Sequence, residues 1–188
     1  PAVAIVRPGL IIGKDGHGLF QQLVDNLTGI GVVPLFGGGR QPLQTVHVDD
    51  VCEAIARIVE RNLAGAFNVP EPDPPSFAAF LRLLAERLGV RARFVPLPFG
   101  PVLAALRVIE ALRLPFPLRS ESLLGLKGLQ QVPVAEDLRR LGLRARSAAE
   151  SLADVLPAPP GASPLDGVAA PSSSRTMKRG RCRTSIRI

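Results

Sequence analysis

The sequence contains no tyrosine and no tryptophan, and its 188 residues include two cysteines, two histidines and one methionine. Without tyrosine, no mechanism that requires a phenolic hydroxyl as acid or base can run on this chain alone. No apolar run approaches the roughly 20 residues that a membrane-spanning helix needs, and the first residues do not form a secretory signal. We therefore expect a cytoplasmic protein without a membrane span. Because Pro1 is not an initiator residue, we also expect the chain to be part of a longer protein.

The scarce cysteines and histidines form no recognisable chemical group. Cys52 and Cys182 are far apart and belong to no CxxC or His/Cys cluster, so neither a disulfide framework nor a metal site is predicted. Cys52 falls in a predicted helix, where we expect a small buried residue. His17 and His47 have no Ser, Asp or Cys partner at a familiar spacing, so no catalytic residue is predicted. A structural role is expected for His47, whereas His17 lies in a glycine-rich loop and is open to ligand contact.

The net charge of +7 is concentrated at the end of the chain. Residues 157–188 hold six basic residues and one acidic one, together with many Pro, Ala, Ser and Gly. This composition has too little apolar surface to fold alone, so we expect residues 1–156 to fold and residues 157–188 to form a disordered basic tail. No specific nucleic-acid partner is predicted. Salt-sensitive, non-specific contact of the tail with nucleic acid or an acidic membrane stays open as an alternative.

Apolar periodicity predicts alternating strands and helices. One stripe at helical spacing follows Asp49 and Asp50, either of which is expected to cap the helix that ends near Asn62. Ser76 and Gly89 bracket another helix. The predicted strands are 2–6, 32–36, 44–48, 66–69 and 92–97, the first of them buried on both faces; the other predicted helices are 19–29, 101–113, 120–127, 134–141 and 147–156, and residues 10–18 are a predicted loop.

Three glycine-rich stretches fail the tests for phosphate-binding loops. Only three residues separate Gly9 from Gly13, and Asp15 stands where a P-loop carries Ser or Thr. Residues 13–18 do not follow a strand directly, and a second extended segment comes after residues 37–39. We therefore expect tight turns at all three places.

Four segments, in this order, resemble the C-terminal half of extended short-chain dehydrogenases/reductases, the NAD(P)-dependent epimerase/dehydratase superfamily. The first is similar to the strand and Arg-Pro segment that follow the catalytic helix in that family. The others are similar to its glycine turn with the His-Val-Asp-Asp strand end, its Phe-Asn-Val strand with the next helix, and its closing Leu-Gly element. In this chain they read IVRPGLIIG (5–13), FGGGRQPLQTVHVDDVCEAIARIVE (36–60), GAFNVPEPDPPSFAAFLRLLAERLG (65–89) and EDLRRLGLRARSAAESLADVL (136–156).

The resemblance implies an α/β fold, in which the C-terminal part of a Rossmann-like parallel sheet is joined by a small, mostly helical substrate-binding domain. It implies NAD or NADP as cofactor and a small-molecule substrate. The family's glycine-rich cofactor loop and its Tyr-x-x-x-Lys pair are expected upstream of Pro1, so the missing N-terminal half is itself an expected partner. A homodimer is compatible with the resemblance. Residues 1–156 are expected to be one part of the NAD(P)-binding domain.

The resemblance also implies site residues. In the family, the segment after the Arg-Pro strand lies against the nicotinamide, and the following loop lines the substrate cleft. Carried over to this sequence, the expected cofactor-binding residues are Arg7, Pro8, Gly9, Leu10 and Ile11, and the expected substrate-binding residues are Gly13, His17, Gly18 and Phe20.

Two departures from the family pattern bear on the substrate. Leu10 stands where nucleotide-sugar members often carry Asn, and Leu43 stands where they often carry the Arg that pairs with the diphosphate. We therefore expect an apolar carbonyl or alcohol in place of a nucleotide-sugar. The alternative is a non-catalytic NAD(P)-binding scaffold or redox sensor, similar to accessory subunits of respiratory complexes. An upstream Tyr-x-x-x-Lys pair would favour the enzyme.

Overall fold

The computed structural model describes residues 3–14, 18–29, 31–112 and 120–156. In this part of the chain, strands and helices alternate along most of the sequence. The strands are β1 (Ala4–Arg7), β2 (Leu10–Ile12), β3 (Val32–Phe36), β4 (Thr45–His47), β5 (Gly65–Asn68) and β6 (Arg93–Leu97). The helices are α1 (Leu19–Gly29), α2 (Val48–Glu60), α3 (Phe77–Leu88), α4 (Phe99–Ala111), α5 (Ser120–Lys127), α6 (Ala135–Leu141) and α7 (Ala148–Val155).

The six strands form three parallel pairs: β1 with β5, β2 with β4, and β3 with β6. The register places Arg7 opposite Asn68 and Ile12 opposite His47. Parallel neighbours need crossover connections, and helices supply them here. This arrangement confirms the predicted α/β class with parallel strands.

Strand β2 corrects one prediction. Residues 10–12 were expected to belong to a loop, but they pair with β4, and the amide of Leu10 donates to the carbonyl oxygen of Gln44 at 2.9 Å. The glycines around this apolar triplet favoured a loop, whereas its partner strand, far along the chain, fixes it as extended. The turn before it is tight, because a Cβ on Gly9 would lie 2.2 Å from the oxygen of Gln44.

Helix α2 begins in a different way from the prediction. His47 is the N-cap, and its Nδ1 accepts a hydrogen bond from the amide of Asp49 at 3.2 Å. The predicted caps, Asp49 and Asp50, lie in the first turn of the helix instead. Their carboxylates still stabilise the helix there, because its N-terminal end carries partial positive charge.

Only one side of the apolar stripe on α2 is buried. Ala54 and Ile58 pack into a core, but Ile55 is 47% exposed and Val59 73% exposed. The prediction that Cys52 is buried is wrong, since it lies on the exposed side of the helix. Strand β1 was expected to be covered on both faces, yet Ile5 is half exposed. The described residues provide no layer over these apolar groups.

The end signals predicted for one helix, Ser76 and Gly89, are confirmed. The hydroxyl of Ser76 caps α3 by accepting from the amide of Ala79, and Gly89 ends the helix in the left-handed region at φ 65°. Gly142 does the same for α6, and Ser147 forms a capping box with Glu150 at the start of α7. These ends fix where the last two helices pack against the strands.

Candidate functional site

A cavity of about 870 Å³ opens beside the turn between β1 and β2. Its wall combines six separate stretches of sequence, two of which, the β1–β2 turn and the segment before β4, are brought together by the parallel pairing of β2 with β4. The other four stretches are the start of α1, residues 68–70 at the end of β5, Phe77 at the start of α3, and residues 126–132.

The wall contains most of the residues predicted from the sequence resemblance. Eight of the nine lie on it: Arg7, Pro8, Gly9, Leu10, Ile11, Gly13, Gly18 and Phe20. His17 lies outside the described residues. The structure therefore brings the expected cofactor-binding and substrate-binding residues to one place, and their roles there remain predictions.

The described part of the wall is mainly apolar. Leu10 and Leu43, the two departures from the nucleotide-sugar pattern, both line it, and Leu43 is buried. The ionisable side chains of this wall are two exposed cations, Arg7 and Lys14. Such a surface is suited to a ligand with a large apolar body and few polar groups.

Gln44 connects two parts of the cavity wall, and no sequence pattern predicts this role. Its side-chain oxygen accepts from the amide of Val132 at 2.8 Å, and its Nε2 donates to the carbonyl oxygen of Val132 at 3.1 Å. Its own carbonyl accepts from Leu10, on the opposite side of the wall. One glutamine thus joins the β1–β2 turn to the segment around Val132, which is too distant in sequence for any local pattern to reveal the contact.

His47 lies beside the cavity wall in a charged cluster. Its ring is buried, with Nδ1 2.6 Å from Nη1 of Arg146 and Nε2 3.2 Å from an oxygen of Asp154. Because the amide of Asp49 and the guanidinium of Arg146 both donate to Nδ1, a neutral ring carries its proton on Nε2.

His47, Asp49 and Asp154 lie close enough to hold a metal ion. Arg146 already balances these carboxylates, and its backbone amide binds Asp50 at 2.9 Å.

Glu71 is a further buried acid, with 1% of its surface exposed. Its carboxylate accepts from the hydroxyl of Thr45 at 2.6 Å and from the amide of Ala148 at 2.8 Å, and so joins β4 to the start of α7. Burial raises the pKa of Glu71 above its ordinary value of 4.5, although these hydrogen bonds act in the opposite direction.

This raised pKa predicts a pH dependence of stability. The folded state holds the proton of Glu71 more tightly than the unfolded chain, so the free energy of unfolding should fall as pH rises from about 4.5 through the raised pKa. In Glu71→Gln, the contribution of this group to the pH dependence of the free energy of unfolding should vanish. Because glutamine replaces one carboxylate oxygen by an NH₂ donor, the backbone amide of either Thr45 or Ala148 should lose its acceptor, which should cost about 1–3 kcal/mol. Denaturant unfolding across this pH range measures both effects, and Glu86→Gln, at an exposed site on α3, is the matched control. If the free energy of unfolding of Glu71→Gln depended on pH as that of the wild type does, the raised pKa of Glu71 would not be the cause.

The described residues include no helix that is long and apolar enough to cross a membrane. The predicted basic tail, residues 157–188, lies outside the described residues. The predicted compartment and domain boundary therefore remain predictions.

The fold and the sequence of the chain both resemble those of known proteins. No family model matches the chain. A structure of the human epimerase family protein SDR39U1, isoform 2, with NADPH superposes with a TM-score of 0.60 and 20% identity, over 81% of this chain and 47% of that one. The chain therefore shares the fold of that protein over about half of that protein's length. The predicted resemblance is confirmed at the level of the fold.

Two curated proteins are similar to this chain in sequence. A 4-hydroxy-2-methyl-3-oxo-4-farnesyl-3,4-dihydroquinoline-1-oxide ketoreductase from Stigmatella aurantiaca is 32% identical over 109 residues, 57% of this chain. The mitochondrial NADH dehydrogenase [ubiquinone] 1 alpha subcomplex subunit 9 of Arabidopsis thaliana is 28% identical over 133 residues, 67% of this chain. The matched region is 32% of each relative's length.

Proposed function

We propose that the complete protein is an NAD(P)-dependent oxidoreductase that acts on an apolar ketone or alcohol. In this proposal the chain contributes the wall on the nicotinamide side and most of the substrate pocket. The observation that carries the proposal is the cavity, in which Leu10 and Leu43 stand on a wall whose ionisable groups, among the described residues, are Arg7 and Lys14. A nucleoside diphosphate would find no buried cation at Leu43 to pair with its phosphates.

The ketoreductase relative supports this substrate class. Its name describes a ketone substrate with a farnesyl chain, which is a long apolar group on a polar ring. A cavity with apolar walls and a few amide side chains, such as Gln44 and Gln130, matches that chemistry. The substrate of the present protein is proposed as a member of the same broad class, an apolar carbonyl compound.

The cofactor belongs to the proposal as well. When bound, a nicotinamide would supply or accept the hydride. Pro8, Leu10 and Ile11 provide an apolar surface on which one face of the ring could rest, and Gly9 keeps the backbone of that turn close to β4. The residues that bind the rest of the dinucleotide and those that move the proton are proposed to lie upstream.

Leu10→Asn should reduce the preference for apolar substrates. In the full-length protein, we expect the ratio of kcat/KM for a farnesylated aromatic ketone to that for a short soluble ketone to fall about tenfold, because an apolar contact becomes a solvated amide. The ratio cancels any effect on the shared cofactor. Leu10→Met, which preserves volume and apolarity, should change it less than about twofold. If the ratio of the two kcat/KM values were unchanged in Leu10→Asn, Leu10 would not contact the substrate.

The second candidate function is a non-catalytic NAD(P)-binding scaffold. It is favoured by the similarity to a subunit of mitochondrial NADH dehydrogenase. The two proposals differ in the upstream half: a Tyr-x-x-x-Lys pair there supports the reductase, and its absence beside an intact glycine-rich loop supports the scaffold. Binding of NADPH without turnover of any ketone would be the corresponding measurement.

A further inference from the structure

Residues 128–133, between α5 and α6, form part of the cavity wall although all of them are exposed. Leu129, Gln130 and Val132 of this segment line the cavity. The segment belongs to no helix or strand, and no buried side chain of its own anchors it. Its position beside the cavity therefore depends on hydrogen bonds to other parts of the chain.

Amide side chains provide hydrogen bonds of this kind. Nε2 of Gln131 donates to the carbonyl oxygen of Pro72 at 2.7 Å, and Nδ2 of Asn68 donates to that of Pro133 at 3.4 Å. Each is a neutral hydrogen bond at an exposed place, and such a bond contributes little net stability. The 128–133 segment can therefore shift when a few of these bonds are lost, while the two apolar cores stay packed.

Gln44 differs from these residues because it connects the segment to the opposite side of the cavity. Its Oε1 accepts from the amide of Val132 at 2.8 Å, and its Nε2 donates to the carbonyl oxygen of the same residue at 3.1 Å. This pair of bonds fixes the backbone of Val132 as a paired residue on a neighbouring strand would. The backbone carbonyl of Gln44 accepts from the amide of Leu10 at 2.9 Å. Since Leu10 and Val132 both line the cavity, Gln44 sets the separation between the β1–β2 turn and the segment.

This separation decides how well an apolar chain fits. Burial of one methylene group raises affinity about fourfold, provided that protein atoms close around it. If one wall moves outward, the added methylene groups stay in contact with water and the gain in affinity is lost. The ionisable groups on the described wall, Arg7 and Lys14, are exposed, so the fit between walls has more influence on an apolar ligand than an ion pair has.

We propose that Gln44 is a positioning residue that determines how strongly the cavity distinguishes apolar chains of different length. It acts through the 128–133 segment and the turn at Leu10, whose distance from each other it fixes. The proposal rests on the proposed function in one respect, that the ligand is apolar. It does not require the ligand to be reduced.

Displacement of the apolar dye N-phenylnaphthylamine from the full-length protein tests this proposal, with methyl ketones of six, eight and ten carbons as competitors. In the wild type, affinity should rise about fourfold with each added methylene group. In Gln44→Met, which nearly keeps the volume but cannot bind the backbone of Val132, the rise should be less than about twofold. Gln44→Asn is polar but too short for the same contact, and it should show the same loss. Hydrogen exchange of the Val132 amide should become about tenfold faster in both variants.

Gln41→Met is the matched control. Gln41 lies three residues before Gln44, donates from Nε2 to the carbonyl oxygen of Phe36 at 3.2 Å, and is outside the described cavity wall. Its substitution should leave the dependence of affinity on chain length as in the wild type, and melting temperatures check folding in every variant.

Two results for the Gln44 variants would overturn the proposal: unchanged exchange of the Val132 amide, or an unchanged dependence of affinity on chain length. An equal loss of affinity for all three ketones is a case of the second result, and it would indicate a general structural role for Gln44. If no ketone displaced the dye from the wild type, the apolar ligand of the proposed function would be wrong as well.

Discussion

Gly9→Ala should lower the free energy of unfolding by about 3 kcal/mol or prevent folding, the upper range for forcing a side chain into filled space. The added Cβ would lie 2.2 Å from the carbonyl oxygen of Gln44 and 2.9 Å from its carbon. Both are backbone atoms, so no rotamer change can relieve the clash. The turn or β4 must move, which breaks the hydrogen bond from Leu10 to Gln44 and shifts the cavity wall.

Gly18→Ala is the matched control for this effect. Gly18 lines the same cavity, but its added Cβ would meet nothing within 4 Å. We expect no loss of stability, because alanine restricts the unfolded chain without straining the folded one. Thermal unfolding of both variants in the full-length protein, with NADPH titrations, gives the comparison. A Gly9→Ala protein as stable as Gly18→Ala would show that the turn does not approach β4 this closely.

The helices with clear end signals were predictable from sequence. Ser76 and Gly89 act within one or two turns of the backbone that they cap, so the information is local. Ser147 and Glu150 at the start of α7 form an equally local signal, although a helix over 147–156 was predicted there without its cap. The positions at which these helices begin and end therefore depend on neighbouring residues and not on tertiary packing.

Burial was harder to predict than helix formation. The stripe on α2 correctly indicates a helix, but periodicity does not say what covers each residue of the stripe. Ala54 and Ile58 face the core, while Ile55 and Cys52 are exposed. The strand at 10–12 was missed for a related reason: three residues carry little pattern, and β4 decides their conformation.

The candidate site was predicted through the family resemblance, not through chemical motifs. The turn at Arg7–Ile11 does line the cavity, together with Phe20. Sequence reasoning missed Gln44, because a single glutamine has no signature and its partner Val132 is distant. It also missed the contact of Arg146 with His47, which depends on the packing of α7 against β4.

The choice between an apolar ketone and a nucleotide-sugar carries the second large expected effect. A sugar diphosphate needs a fixed cation, and removal of charge-assisted hydrogen bonds costs about 1.5–3 kcal/mol each. Leu43 offers none, and an apolar chain gains from the same leucine. We therefore expect the full-length protein to prefer the apolar ketone by about 100-fold or more in kcat/KM, which corresponds to roughly 3 kcal/mol.

The most direct test follows NAD(P)H oxidation by the full-length protein with a farnesylated aromatic ketone and, separately, with a UDP-sugar. Competition with a fluorescent ligand in the cavity reports binding in both cases. We expect saturable turnover of the ketone and no competition by the UDP-sugar. Tight binding of the UDP-sugar, with no binding of the ketone, would contradict the proposed function.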